Sequence, residues 1–323
     1  MALSADGSIV AAGGIGADGG VGVYQYSSGN KSWVQLGQGL IGEGVQDQFG
    51  AAVALSENGF TVAIGGPFNS LPSDDDLLEF SSQGHVRVFQ FNATLGSWEQ
   101  LGQDLDGEAP LDYFGTSVAL SADGSIVAAG SAYNDGSISG AGHVRIFQFD
   151  CGNQTWVQLG DDLDGQDLFG RFGYSVSLSA DGSIVATGSM GGDGTGRNAG
   201  HVSIFQYNND TDTWQQLGQN IDGEAAFDLF GYSVSLSADG SFVAAGGFFN
   251  DGRGSDSGHV RIFQFNGTLW VQLGQDVDGE AAFDLFGSSV ALSADGSIVA
   301  AGAAYNDDGG DRAGHVRVFE GAI

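Results

Sequence analysis

A chain of 323 residues with 40 acidic against 9 basic side chains carries a formal charge of −31. That balance removes the clustered cations needed to grip phosphate or an anionic bilayer, so nucleic-acid partners are excluded and membrane surfaces disfavoured. Hydrophobic residues at 41% and aromatics at 11% suffice for a packed core, while one cysteine, Cys151, leaves no intrachain disulfide, and no apolar run reaches the roughly 20 residues of a membrane helix.

In chain order the first residues, Ala2-Leu3-Ser4, match only the tail of a unit that then recurs to the end. Its units run 1–44, 45–109, 110–167, 168–225, 226–281 and 282–323, with a Phe-Gly pair at Phe49, Phe114, Phe172, Phe230 and Phe286. Trp33, Trp98, Trp156, Trp214 and Trp270 occupy one shared position, which predicts a packing role. In the third unit FGTSVALS, SIVAAGS, GHVRIFQF and TWVQLG read as strands a to d, rich in β-branched and aromatic residues, with a tight Ala-Asp-Gly turn between a and b. No segment has helical periodicity. Repeated four-stranded units, apolar on both faces, predict a single all-β domain over 1–323: a β-propeller of about six blades, the first and last incomplete, with strand a nearest the axis. The incomplete ends suggest a fragment.

Antiparallel strands put the a–b and c–d turns on one rim and the long b–c and d–a loops on the other, where most of the acidic residues fall. Only Arg171, Arg197, Arg253 and Arg312 oppose them there. The d–a loops repeat a carboxylate cluster. Asp104, Asp106, Glu108 and Asp112 form one copy, Asp222, Glu224 and Asp228 a second, and Asp276, Asp278, Glu280 and Asp284 a third. Hard cations take several oxygen ligands, so calcium is the cofactor these loops suggest, with the capping of tight turns by the first aspartate of each loop, a role Asn220 fills equally well, as the competing reading. The long second b–c loop, with Asp74, Asp75, Asp76 and Glu79, is a candidate ligand loop. On the opposite rim every complete c–d turn holds an N-x-S/T sequon, at Asn30, Asn92, Asn153, Asn209 and Asn266, a pattern that predicts glycosylation in a secretory host. His85, His143, His201, His259 and His315 each open a strand c and read as structural. Arg87, Arg145, Arg261 and Arg317 follow two residues later, placed to pair with a neighbouring blade's carboxylate.

The Phe-Gly start, Gly65-Gly66-Pro67 after strand b, and the GHVRIFQF-type third strand resemble the FG-GAP repeats of integrin-α-type propellers over essentially the full chain. LSADGSIVAAGS followed by GHVRIFQF is also similar to WD40 repeats. Both resemblances imply a propeller and neither implies an enzyme. The integrin-type calcium loop lies between the first two strands, where this chain has only its tight turn, so those sites are not carried over. The function this implies is a non-enzymatic, secreted or cell-surface adhesion propeller that binds a protein or glycan on its acidic face, with no catalytic residue. An intracellular WD40-like interaction scaffold is one alternative. A propeller-fold hydrolase or lyase, with Asp and Glu working around the central channel, is the other.

Overall fold

The computed structural model describes residues 1–14, 19–44, 46–70, 82–136 and 138–321, and among them there are six β-sheets and no helix. Blade 3 shows how the unit is built. Strand a (Ser117–Leu120), b (Ile126–Ser131), c (His143–Asp150) and d (Thr155–Gln158) pair antiparallel in that spatial order. The a–b turn closes because Asp123 accepts from the Ser125 amide at 2.9 Å and from the Ser121 hydroxyl at 2.8 Å, while Gly124 takes the left-handed φ of 77°. This engages the single carboxylate of the turn, so no set of oxygen ligands for calcium lies between these strands.

Strand b is buried along its whole length, which its small residues Ala128, Ala129 and Gly130 permit. The first strands of blades 2 to 6 touch in succession around the axis, as expected for the innermost position. Apolar clusters fill the spaces between consecutive blades: Ile126, Ala128, Val144 and Ile146 of blade 3 meet Phe172 and Val185 of blade 4. Each interior tryptophan adds a polar link to the blade before it. Trp156 Nε1 donates to Leu101 O at 2.7 Å, and Gln103 brackets the Trp156 backbone, accepting from its amide and donating to its carbonyl. The packing role of the tryptophans therefore holds at the blade interfaces.

The outer edge departs from expectation. Leu163–Asp164, which the sequence assigns to the d–a loop, is a short strand that pairs with His143 and Val144. Strand d is thus broken into two pieces around a bulge at 159–162, and the same break recurs in blades 1, 2, 4 and 5. Blade 1 has a two-residue strand a, Ala2–Leu3, and blade 6 has three strands, ending with His315–Glu320.

Candidate functional site

The bulge in strand d creates a slot that the arginine of strand c fills. Arg145 donates from Nε and Nη2 to Gln158 Oε1 at 3.3 and 3.2 Å, and from Nη1 to the Asp106 carbonyl of the preceding blade at 3.0 Å. Its guanidinium lies 5.5 Å from the Phe114 ring centre and 5.0 Å from that of Phe147. Two carboxylates flank it: Asp162 from the bulge at 3.8 Å and Glu108 from the preceding blade at 3.8 Å. His143 lies beside them, its Nδ1 3.9 Å from Asp162. The cluster recurs as Glu43, His85 and Asp104 around Arg87, as Glu224, His259 and Asp276 around Arg261, and as Glu280, Asp308 and His315 beside Arg317.

The expected carboxylate clusters therefore do not assemble as read from the sequence. Asp104 faces its own blade's Arg87, whereas Glu108 crosses to Arg145 of the next blade. Asp106 pairs in the outer strand opposite His85, and burial followed by the nearby Asp104 charge raises its carboxyl above the usual range. Asp222 and Asp278 hold the equivalent positions, opposite His201 and His259. Asp112, Asp228 and Asp284 are buried, and each accepts from a backbone amide and an asparagine: Ala109 and Asn134, Ala225 and Asn250, Ala281 and Asn306. These three fix the end of the loop, whereas the leading aspartates, to which the sequence gives turn capping as the competing role, accept from side chains instead: Asp104 from Gln100 and Asp276 from Gln272, both at 2.6 Å. The groups that could hold a cation are instead the Glu–His–Asp sets between blades.

The fourth blade shows what those carboxylates serve. Ser203 stands where blades 2, 3, 5 and 6 have arginine, and there Gln166 replaces the glutamate and Asn220 the aspartate. Ser203 Oγ donates to Asn220 Oδ1 at 2.9 Å. Loss of the cation together with both anions is the pattern expected when the carboxylates balance a half-buried guanidinium. Burial drives the His85 imidazole down to about 4, and the same desolvation lowers His143 and His201. His85 also packs edge-on against Phe49, with ring centres 5.7 Å apart.

At the long-loop end of the central channel the repeat symmetry breaks. The residue before each Phe-Gly pair is Gln48, Tyr113, Arg171, Leu229 or Leu285, and all five hold left-handed φ values between 52 and 56°. Such values are unfavourable for side-chain-bearing residues and persist only where packing enforces them. The residue after the pair is Ala51, Thr116, Tyr174, Tyr232 or Ser288. The result is an uneven aromatic belt along the mouth, which runs on from Tyr232 to Phe248 at 4.1 Å and Phe249 at 4.2 Å from Phe248. Phe68 meets Tyr113 at 5.0 Å and Tyr113 meets Tyr133 at 5.2 Å, enclosing with Tyr174 a cleft of about 440 Å³. Arg171 lies 5.1 Å over the Tyr133 ring, and Tyr174 pairs with Tyr232 at 5.0 Å. Burial, then the hydrogen bond with Tyr232, pushes the Tyr174 hydroxyl well above the usual phenol range, so it stays protonated.

The Phe-Gly pair stands out in the sequence as a landmark, and its flanking residues do not. Comparing those positions across the copies is the signal that exposes the belt. The sequons lie in c–d turns as expected, but Asn92 and Asn266 accept hydrogen bonds from the amides two and three residues on. That is the chemistry of the turn itself. Asp74, Asp75, Asp76 and Glu79 lie outside the described residues.

No family model and no curated protein matches the chain. Solved structures do. A candidate 6-phosphogluconolactonase from Bacteroides uniformis superposes with a TM-score of 0.61 at 14% identity, over 93% of this chain and 74% of that one. The periplasmic gluconolactonase of Pseudomonas aeruginosa gives 0.58 at 17%, over 91% and 74%. A candidate 6-phosphogluconolactonase from Bacteroides fragilis gives 0.60 at 14%, over 98% and 78%. At these identities the likeness establishes the propeller fold. These neighbours are lactonase-type propellers rather than integrin α subunits, and that overturns the expectation of a non-enzymatic FG-GAP adhesion glycoprotein.

Proposed function

We propose that the chain is a hydrolase that opens the cyclic ester of a sugar acid at the aromatic mouth of its central channel. The observation that carries this reading is the break in repeat symmetry there, with Arg171 over Tyr133 beside the Tyr174–Tyr232 pair. A single reaction centre needs residues that the other copies lack, and aromatic faces with a few polar tips suit a sugar ring. The names carried by the structural neighbours point to the same substrate class.

In this reading the lactone ring stacks on the tyrosine faces. Arg171 donates to the carbonyl oxygen and stabilises the negative charge that develops as water adds to the carbon. The carbon–oxygen bond of the ring then breaks, and the proton lost by the attacking water reaches the departing oxygen through the Tyr174 hydroxyl, which accepts one proton as it gives one and stays neutral. The product acid ionises to a carboxylate, which the surrounding acidic loops repel outward. That same field, from a chain of net charge −31, favours a neutral lactone over a phosphorylated one. No step is assigned to a cation. Calcium, if taken up by the Glu–His–Asp sets, would sit between blades beside strand c and trim the acidic charge there. Work on a neutral sugar lactone suits an extracytoplasmic setting, as for the periplasmic neighbour.

The test follows proton release from glucono-1,5-lactone and from its 6-phosphate with the full chain present. Hydrolysis above the spontaneous rate, with the neutral lactone preferred, is expected. Neither lactone turning over faster than in buffer would end this reading.

A further inference from the structure

The polar and steric fittings that join blade to blade are repeated with little change, and one set of them has nothing to hold. In each closed interface a glycine near the end of strand b lies against the Phe-Gly carbonyl of the next blade. A Cβ at Gly65, Gly130, Gly188 or Gly246 would come within 1.9 to 2.0 Å of the oxygen of Gly115, Gly173, Gly231 or Gly287. Ser117, Ser175 and Ser233 donate to those same carbonyls, Gly173, Gly231 and Gly287, at 2.7, 2.8 and 2.8 Å. A second glycine, before strand c, is held left-handed against the incoming phenylalanine. Gly200 and Gly258 would each meet its carbonyl at 2.1 Å.

Blade 6 keeps all three parts: Gly302, Ser289 and Gly314, the last at φ 68°. Among the described residues none of them meets a Phe-Gly pair. A Cβ at Gly302 would touch only its own blade's serines, and one at Gly314 only the Ala303 and Ala304 backbone. A ladder of hydrogen bonds between a–b turns ends at the same place. It runs from Ala5 N to Glu57 O, Glu57 N to Ala122 O, Ala122 N to Ala180 O, Ala180 N to Ala238 O, and Ala238 N to Ala294 O, at 2.7 to 2.9 Å. Ala294 N and Ala5 O are left as its unused ends among the described residues. The apolar faces agree. Val316 and Val318 are 69% and 66% exposed where Val144 and Ile146 are buried, and Trp33 is 47% exposed where Trp156 is 4%.

We infer that the space between blade 6 and blade 1 takes one further Phe-Gly-led blade of the same repeat. Such a blade would seat its Phe-Gly on Gly302, Ser289 and Gly314, and its a–b turn would bridge Ala294 N to Ala5 O. This continues an interface already repeated between the other blades. A second copy of the chain does not fit the fittings, because its blade 1 offers Ala2–Leu3 with no Phe-Gly pair.

The experiment compares the full chain with one lengthened after Glu320 by a second copy of residues 265–320, which carries its own c–d turn. The readout is hydrogen exchange at the Ala294 amide, which pairing along the outer edge of blade 6 does not reach. Exchange at Ala294 should slow at least ~tenfold in the lengthened chain. Gly302→Val should abolish that gain while leaving the original chain unchanged. Protection of blades 2 to 5 reports that each variant is folded. Unchanged Ala294 exchange in a folded lengthened chain would overturn the proposal. So would a self-associating original chain in sedimentation that protects Ala294, which would make a second copy the occupant.

Discussion

Arg145 has about one-seventh of its side chain in solvent, at 14% exposure, and is held by Gln158, Asp106 O, Asp162 and Glu108. Arg145→Ala removes the cation from beside the partly exposed Asp162 and Glu108 and should cost about 1–2 kcal/mol, between the scales for an exposed and a buried pair. The fourth blade suggests its own remedy. Adding Glu108→Gln and Asp162→Asn, the combination found around Ser203, should recover more than half of that loss in urea midpoints. If the triple variant is no more stable than Arg145→Ala, the carboxylates serve something other than the guanidinium. A second residue-scale consequence concerns acid. Burial lowers His85 to about 4 from an ordinary 6.5. The unfolded chain therefore protonates first, and the stability linked to a neutral His85 is intact above pH 6.5 and lost as pH falls toward about 4. The loss is about 3 kcal/mol at roughly 1.4 kcal/mol per pKa unit. Denaturant midpoints across that window should fall, and should fall less steeply in His85→Phe. Equal slopes would show that His85 is not the group involved.

At the scale of strands and blades, the steric fit of strand b supplies an internal control. Gly130→Ala places a methyl 1.9 Å from the Gly173 carbonyl of the next blade and should cost several kcal/mol or prevent folding. Gly302→Ala, the same substitution where no next-blade carbonyl stands, should shift the melting temperature little. Equal costs at both positions would contradict the interface geometry. The four main strands of each unit were legible because each is a run of β-branched and aromatic residues bounded by Asp-Gly or Gly-rich turns. The outer segments such as Leu163–Asp164 were not. Two residues inside an acidic stretch carry no periodicity, and their pairing is imposed by strand c and by the arginine that fills the bulge. That missed strand is why Asp104 and Glu108, four residues apart, were assigned to one cluster when they face different blades. The Arg–carboxylate pairing across blades was legible from its fixed two-residue offset to histidine. The aromatic mouth was not, because Tyr113, Arg171 and Tyr174 stand out only once their positions are known to ring one channel.

For the whole molecule, six blades bring the variable ends of their inner strands to one opening, while most of the acidic charge is carried on the surrounding loops. In the proposed reading, this arrangement makes the mouth the place where a neutral ring would bind and an anionic product would be driven off. It also keeps two sets of side chains apart: the Arg–His–carboxylate sets lie between blades, and Arg171 with its tyrosines lies at the mouth. The central claim is that Arg171 supports ester hydrolysis there. The direct measurement is kcat/KM for glucono-1,5-lactone with the unaltered chain and with Arg171→Met, alongside the melting temperature of each. Loss of one donor to a developing oxyanion lowers the rate by about 100-fold or more, so the account predicts a drop of that size with melting temperature preserved. Equal rates in the two proteins would contradict it.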